Sequence, residues 1–555
     1  MAFPRRDPDD AALAQELVNA SHGDSWFGGK TIGFVSGVAL LINNITGPGV
    51  PQLPNLFAEA GWLTPTMCFI AIWLMTSLST AMYAEAMRRI PGNEHFRDRI
   101  EYTSIVRFYF GPKAYKLSQI GLNGALQSLN IVSVIQSAQV MDSALSAVFG
   151  ESCALNLTPF ANYNVTHVIQ GSESAWTCTD TTNYGAVGGN PWGCHVVLTG
   201  GFLLTMAMAI PMGFFNLDDN MIVQVVAFVL TLGCWGVWIA ASASSDAFIP
   251  STQYPGGPGA DFKHGWHIPM VNTDPQTGSQ TAVLGTILFN FGFVTTVPSW
   301  INEKKPSVSV NRTVWLSTAL CNVIFFAVGL TGAMAFAPYL QGPASNACAK
   351  YGTGNGCAGS VMSLFTGPDA PKAWSSSKEL NWLLQFSVYL FPVVAIVSSI
   401  PVFSIVIKYN CIENGFSRTF AFCWGVLFPW LFALPLLYQP NALNQFINFS
   451  SLIFVSFTDF IVPWALYYTM VQREATKSRI ENQGLINSDL LTRTRSNRLV
   501  VHEHYAIPPS WGVGNKTKVG LSKFLVVVMA LCAAAGSVLT VVQGNFSFDC
   551  AGVGS

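Results

Sequence analysis

Half of the 555 residues are hydrophobic and only 10% are charged, giving a mean hydropathy of +0.39 and a formal net charge of −1. So little charge cannot cover a water-soluble surface, so the composition points to a polytopic membrane protein with the lipid bilayer as its first partner. It gives no support to nucleic-acid binding.

In chain order, residues 1–30 are a polar tail carrying Asp7, Asp9, Asp10 and Glu16, without a cleavable signal peptide, so the first span would act as signal anchor. Apolar runs of about 20 residues or more then predict eleven spans near 31–59, 62–86, 116–148, 195–214, 221–244, 281–301, 313–338, 380–407, 418–438, 443–470 and 520–543. Residues 31–543 thus form one transmembrane domain, followed by an outer tail at 544–555.

The first span contains INNITGPGVPQLP, Ile42 to Pro54, with two glycines and three prolines inside an apolar run. No helix runs straight through it. In a bilayer such a break is tolerated only where protein or a polar cavity surrounds the freed backbone, and it often marks a transporter's ligand site.

The third span aligns Asn123, Gln127, Asn130 and Ser137 on one stripe that must face inward, either lining a path or bonding to other helices. The sixth, TAVLGTILFNFGFVTTVPSWINEKKP, repeats the interruption at Asn290, Gly292 and Pro298, with Phe291 and Phe293 as an apolar wall or thin gate. Interruptions in spans one and six predict an all-α, five-plus-five inverted repeat with the eleventh span appended. Asp459, deep in span ten, could relay a proton or hold a structural hydrogen bond, while Glu85 and Asp142 near the boundaries should be solvated or paired.

Sidedness follows from the basic residues, since cytoplasmic loops carry the excess of Lys and Arg. With the N-terminus inside, inner segments and their flanks hold 24 of 28: seven lie between Arg88 and Lys116 and nine between Arg473 and Lys523. The outer segment 149–194 has none, and Lys263, Lys350, Lys372 and Lys378 complete the set. Six cysteines also fall outside, at Cys153, Cys178, Cys194, Cys348, Cys357 and Cys550, predicting two or three disulfides of undetermined connectivity. Glycosylation sequons at Asn156, Asn164 and Asn545 lie on the same side. The other large outer segment is 339–379, and the inner loop 471–519 is a Ser-, Thr-, Arg- and Asn-rich linker.

The chemistry of the first break follows from its backbone. A half-helix starting near Val50, with Pro51 in its first turn, offers amides and a positive dipole end to a carboxylate. The half-helix ending near Thr46 offers carbonyl oxygens to a cation or an ammonium group. A zwitterionic amino acid needs both.

These residues carry a family resemblance. INNITGPG, FNFGFVTTVPSWINEKKP and the span-ten segment FINFSSLIFVSFTDFIVPWALYY make the chain similar to the amino acid/auxin permease family, and within it to the sodium-coupled neutral amino acid transporters, over roughly residues 30–545. The resemblance implies a LeuT-like fold. It places Asn43 where relatives bind substrate and ion, Gly47 and Gly49 at the family's two glycines, and Pro48 where a serine is usual. It also places Ser398 and Ser399 where LeuT-like transporters use adjacent hydroxyls for sodium. The expected substrate site is then Asn43, Thr46, Gly47, Gly49, Asn290, Phe291, Gly292 and Phe293, and the ion site Asn43, Ser398 and Ser399.

No P-loop signature and no cluster of catalytic residues is present, and His264 and His267 lack the partners of a metal site, so neither an ATP-driven pump nor an enzyme is expected. The expected function is secondary active transport of an amino acid, foremost a neutral one, coupled to Na+ or H+, with no other cofactor and no obligatory protein partner. A transporter-like amino acid sensor is the alternative. Either would reside in the plasma membrane or an endolysosomal or vacuolar membrane.

Overall fold

The computed structural model describes residues 29–46, 49–93, 96–157, 176–181, 191–192, 196–244, 268–273, 280–340, 360–366, 378–482, 505–507 and 512–543. Most of the tails 1–30 and 544–555 and of the loops 149–194, 339–379 and 471–519 lies outside them. Among the described residues, nine helical stretches are long and apolar enough to cross a membrane, and Phe34–Ile45 and Gly200–Met212 are shorter apolar helices. The chain is an integral multi-pass membrane protein.

It enters as α1 (Phe34–Ile45), breaks, and resumes through a 3-10 turn at Val50–Gln52 into α2 (Leu53–Ala60). After α3 (Leu63–Arg88) comes α4 (Tyr102–Phe149), which starts well before the expected third span at 116. The extra turns, 102–110, form a separate piece, because Gly111 sits at φ 79, ψ −173 and Pro112 follows it. A positive φ suits glycine, and proline cannot donate the helical bond its position requires.

The segment after α4 contains a three-stranded antiparallel sheet that the apolar pattern does not signal. Its strands are β1 (Ser152–Asn156), β2 (Trp176–Thr179) and β3 (Val197–Thr199), in the order β2-β1-β3. Cys153 faces Cys178 in this register and the two form a disulfide. Cys194, Cys348, Cys357 and Cys550 lie outside the described residues. Asp142 ties the sheet to the helices, accepting from Ser152 Oγ at 2.8 Å, the Gly201 amide at 2.8 Å and Tyr438 Oη at 2.7 Å. Glu85 is likewise buried and paired, accepting from the Ala506 amide at 2.8 Å, with Arg89 3.7 Å away.

The remaining elements are α5 (Gly200–Met212), α6 (Met221–Ser244), α7 (Thr281–Asn290), a 3-10 turn at Val294–Thr296, α8 (Val297–Glu303), α9 (Val310–Leu340) and α10 (Val361–Thr366). The last spans contain π-helical stretches. Pro392–Ile396 separates α11 (Lys378–Phe391) from α12 (Val397–Glu413), and Cys423–Leu427 separates α13 (Arg418–Phe422) from α14 (Phe428–Ala433). Ser451–Ile461 joins α15 (Pro440–Ser450) to α16 (Val462–Asn482), and α17 (Asn515–Gln543) ends the described chain. π-turns widen the backbone ladder and recur at functional sites.

Two features position the site. The interruptions in spans one and six share a local plan: a three-residue 3-10 turn beginning at Val50 or Val294, then a short helix whose second residue is Pro54 or Pro298. On the basic side, the entering chain is sewn to the exit of span six. Ile32 donates its N–H to Glu303 O at 3.1 Å and accepts from Lys305 N–H at 2.9 Å, while Lys30 Nζ donates to Phe96 O at 2.6 Å and Asn302 O at 3.1 Å.

Candidate functional site

The two breaks meet, and each reaches into the other. At the end of α1, Asn44 Nδ2 donates to Thr296 Oγ1, in the 3-10 turn of span six, at 3.2 Å. At the end of α7, Asn290 lies against Gly49, at the mouth of the 3-10 turn of span one, so that a Cβ added to Gly49 would sit 2.3 Å from Asn290 Oδ1. The contact therefore requires the bare backbone of glycine. Asn290 Nδ2 donates to Thr286 O at 2.8 Å, but its Oδ1 and that of Asn44 are buried without a hydrogen-bond partner among the described residues. An orphaned buried acceptor costs about 1–3 kcal/mol unless something donates to it.

Thr46 turns back on its own helix, donating from N and Oγ1 to Ile42 O at 2.8 and 2.6 Å. Gly47 and Pro48 lie outside the described residues. Downstream, Gln52 N–H donates to Gly49 O at 3.1 Å and Leu53 N–H to Val50 O, which engages two of the amides assigned to an anion.

In span six, the Phe291 carbonyl accepts from Phe293 N–H at 3.0 Å and Thr76 Oγ1 at 3.4 Å. The Phe291 ring packs edge-on against Phe69 and Phe325, with centroids 6.3 and 5.4 Å apart, in an aromatic cluster that includes Phe57 and Phe326. Each such pair contributes about 0.5–1.5 kcal/mol beyond its area. Phe293 is fully buried, and Gly292 admits Val455, whose Cγ1 would lie 3.1 Å from an added Cβ.

Asp459 also enters this break. Its Oδ2 accepts from Val294 N–H, at the head of the second half-helix of span six, at 2.9 Å, and its Oδ1 accepts from Thr458 Oγ1 at 2.8 Å. The structural hydrogen bond, one of the two roles read from the sequence, is present. A carboxylate at a helix N-terminus satisfies an orphan amide and complements the dipole.

Asn43 points elsewhere. Its Nδ2 donates to both the carbonyl and Oε1 of Gln224 on α6, at 2.9 and 2.8 Å, and Gln224 Nε2 donates to Ser398 O at 2.9 Å. One side chain thus links spans one, five and eight, joining two of the three residues expected at an ion site. Ser398 and Ser399 are both buried. Sequence reasoning missed Gln224, although a lone glutamine in MIVQVVAFVL is a signal of an inward-facing polar group.

Three of the four residues of the polar stripe of span three bond to other helices, while Ser137 Oγ is buried without a hydrogen-bond partner among the described residues. Asn123 Oδ1 accepts from Trp424 Nε1 at 2.7 Å, Gln127 Nε2 donates to Trp424 O at 2.8 Å, and Asn130 Nδ2 donates to Ser404 Oγ at 2.9 Å.

Residues 30–170 match the family described as transmembrane amino acid transporter proteins. The resemblance read from INNITGPG thus agrees with a family match over the first three spans. Among solved structures it is similar to MhsT in complex with L-phenylalanine, at 10% identity over 93% of this chain and 100% of that one, TM-score 0.49. It is also similar to MHP1, a nucleobase-cation-symport-1 family transporter in a closed conformation with bromovinylhydantoin bound (12% identity, 96% and 98% covered, TM-score 0.45). A manganese transporter of Eremococcus coleocola, in complex with an aromatic bis-isothiourea substituted compound, gives 12% identity, 98% and 97% covered, and TM-score 0.46. No curated protein sequence matches the chain.

The seam on the basic side carries a pH dependence. Burial, aided by the neighbouring Lys30 cation, pushes the Lys304 ammonium from the usual 10.5 down to about 8, and its Nζ lies 5.2 Å from the Phe96 ring centroid. Burial lowers Lys30 as well. Between about 8 and 10.5 the unfolded chain binds a proton that the folded chain lacks, so this group's contribution to stability rises with pH across that window and is flat below it. Melting curves from pH 7.5 to 10 should show a rise that Lys304→Met reduces, and identical slopes in the two proteins would refute the assignment.

Proposed function

We propose that the chain is a secondary active transporter of amino acids, neutral ones foremost, working by ion-coupled alternating access. The observation that carries this reading is the pair of orphaned amide oxygens, Asn44 Oδ1 and Asn290 Oδ1, one from each break. An ammonium group has three donors and no acceptor, so it answers that deficit. In this reading the amides of Gly49 and Val50, which donate to no other backbone carbonyl among the described residues, serve the carboxylate, since Gln52 and Leu53 are engaged and Pro51 has none. The ammonium is thereby reassigned from the carbonyls near Thr46 and Phe291 to the two asparagine oxygens.

The repeated Val-x-x-apolar-Pro plan and the reciprocal Asn44–Thr296 and Asn290–Gly49 contacts support a five-plus-five arrangement about a pseudo-two-fold axis, with eleven spans in all and α17 the last. The coupling ion, Na+ or H+, acts in this reading at Asn43, Gln224, Ser398 and Ser399. A cation coordinated by the Ser398 carbonyl would displace Gln224 Nε2, so ion binding would switch the contacts between spans five and eight and favour one conformation. Gln224→Leu should therefore lower the ion dependence of uptake about tenfold or more, two lost buried hydrogen bonds being worth roughly 1–3 kcal/mol together. An unchanged ion response in that variant would remove Gln224 from the mechanism. The decisive test is uptake of an amino acid panel into proteoliposomes under separate sodium and proton gradients. No uptake of any amino acid under either gradient would overturn the proposal.

A second reading, an amino acid sensor without net transport, is favoured by one observation. Part of the inner loop docks under spans two and seven: Asn311 Nδ2 donates to Tyr505 O at 2.8 Å, and the Arg88 guanidinium lies 5.0 Å from the Tyr505 ring centroid. Substrate binding without flux would select this reading.

A further inference from the structure

Spans three and nine enclose a groove of about 730 Å³ at the face of the bundle. One wall is an aromatic ladder at helical spacing, with ring centroids 5.0 Å apart for Phe416–Phe420, 6.3 Å for Phe420–Trp424, 4.3 Å for Trp424–Phe428 and 5.9 Å for Phe428–Phe432. Phe416, Phe420 and Phe432 remain 50%, 45% and 43% exposed, as does Ile120 on the opposite wall, at 64%. The groove is stiff, because its polar residues are spent on the framework: Trp424 is held by both Asn123 and Gln127. Bundle helices usually fill such a cleft with each other's side chains. Here it stays open to the membrane over most of the length of α13 and α14.

Its two ends differ. Lys116 lines the end nearest the start of span three. Lys113 lies one turn earlier on the same helix and Arg107 stands over the Tyr115 ring at 5.7 Å. All three are exposed, and among the described residues Lys113 and Lys116 form no salt bridge. This is the lysine- and arginine-rich side, which the charge rule assigns to the cytoplasm. A basic mouth opening into an apolar cleft between helices at that depth matches an anionic headgroup with its acyl chain attached.

We infer that this groove binds one anionic glycerophospholipid of the cytoplasmic leaflet, its phosphate at Lys113 and Lys116 and an acyl chain along the ladder from Phe416 to Phe432. The aromatic faces supply a smooth apolar surface that lipid tails can follow without a hydrogen-bonding demand. The lysines supply the selectivity among headgroups. Nothing in this inference depends on what the protein transports.

Native mass spectrometry of the full-length protein in detergent tests it, titrating phosphatidylglycerol, phosphatidylcholine of the same acyl chains, and a sterol. Phosphatidylglycerol should be retained at least about tenfold better than phosphatidylcholine, from two near-surface lysines. The Lys113→Glu/Lys116→Glu variant should bring that ratio close to one. Ile120→Trp, which fills the groove from an exposed position without touching the core, should reduce retention of both phospholipids. Equal retention of the two phospholipids by the wild type, an unchanged preference in the lysine variant, undiminished retention in Ile120→Trp, or tighter retention of the sterol would each overturn the inference. Gel filtration and circular dichroism matching the wild type confirm that each variant is folded.

Discussion

Replacing Gly49 with leucine is expected to abolish uptake while the protein still reaches the membrane folded. Even a Cβ would lie 2.3 Å from Asn290 Oδ1, 2.5 Å from Nδ2 and 2.7 Å from Cγ, so the asparagine amide must leave its position. Overpacking a tight contact costs about 1–3 kcal/mol, and here the cost falls on the spot where two half-helices must approach each other. Gly49→Ala should lower uptake by roughly 10- to 100-fold, and leucine should go further. The pairing makes a sharper test available. In the Gly49→Ala background, Asn290→Gly removes the colliding amide and should restore contact between the breaks, recovering part of any loss in thermal stability, although the orphan oxygen proposed for the ammonium is gone. Strict additivity of the two substitutions in melting temperature would show that the residues do not touch in the working protein.

The second large effect is expected at Asp459. Asp459→Ala leaves Val294 N–H without its acceptor inside the bundle, while Thr458 Oγ1 keeps Phe454 O as an acceptor at 2.9 Å. The stranded amide costs about 1–3 kcal/mol, enough to lower the melting temperature by a few degrees. Asp459→Asn separates the two roles the sequence left open. Its amide oxygen can still accept from Val294 N–H, so a structural residue should keep most of its stability and the pH profile of uptake. A proton carrier would lose the pH dependence altogether. Retained folding with a flattened pH profile in Asp459→Asn would therefore contradict the structural assignment.

How far the sequence could be read depended on whether the physical signal was local. The two breaks were legible because glycine and proline act on their own backbone, and INNITGPGVPQLP cannot be continuous helix whatever surrounds it. Asn290 and Gly49 were legible as candidates for the same reason, and the grouping of Cys153 and Cys178 in one loop made their disulfide one of the pairings to expect. The partnerships were not legible. Asp459 and Val294 are 165 residues apart, Asn44 and Thr296 252, and Asn43 and Gln224 181, and no spacing rule links them. Phe291 and Phe293 show the same limit: their position beside Gly292 suggested an apolar wall or a thin gate, and the cluster that Phe291 forms with spans two and seven had no signal in that spacing. The early start of α4 had a local signal in Gly111–Pro112 that apolar averaging passes over. The three-stranded sheet had none, since strands of three to five residues leave too short a pattern to read.

The seam between Ile32 and the exit of span six has a consequence for mutagenesis. Its bonds run from main chain to main chain, Ile32 N–H to Glu303 O and Lys305 N–H to Ile32 O. An alanine scan leaves such a joint whole, because alanine keeps both the donor and the acceptor. A library of side-chain replacements would thus score residues 32 and 303–305 mainly on their charges and packing and would overlook what they hold together. Proline at position 32, or a one-residue deletion that shifts the pairing, is the kind of change that would reach it.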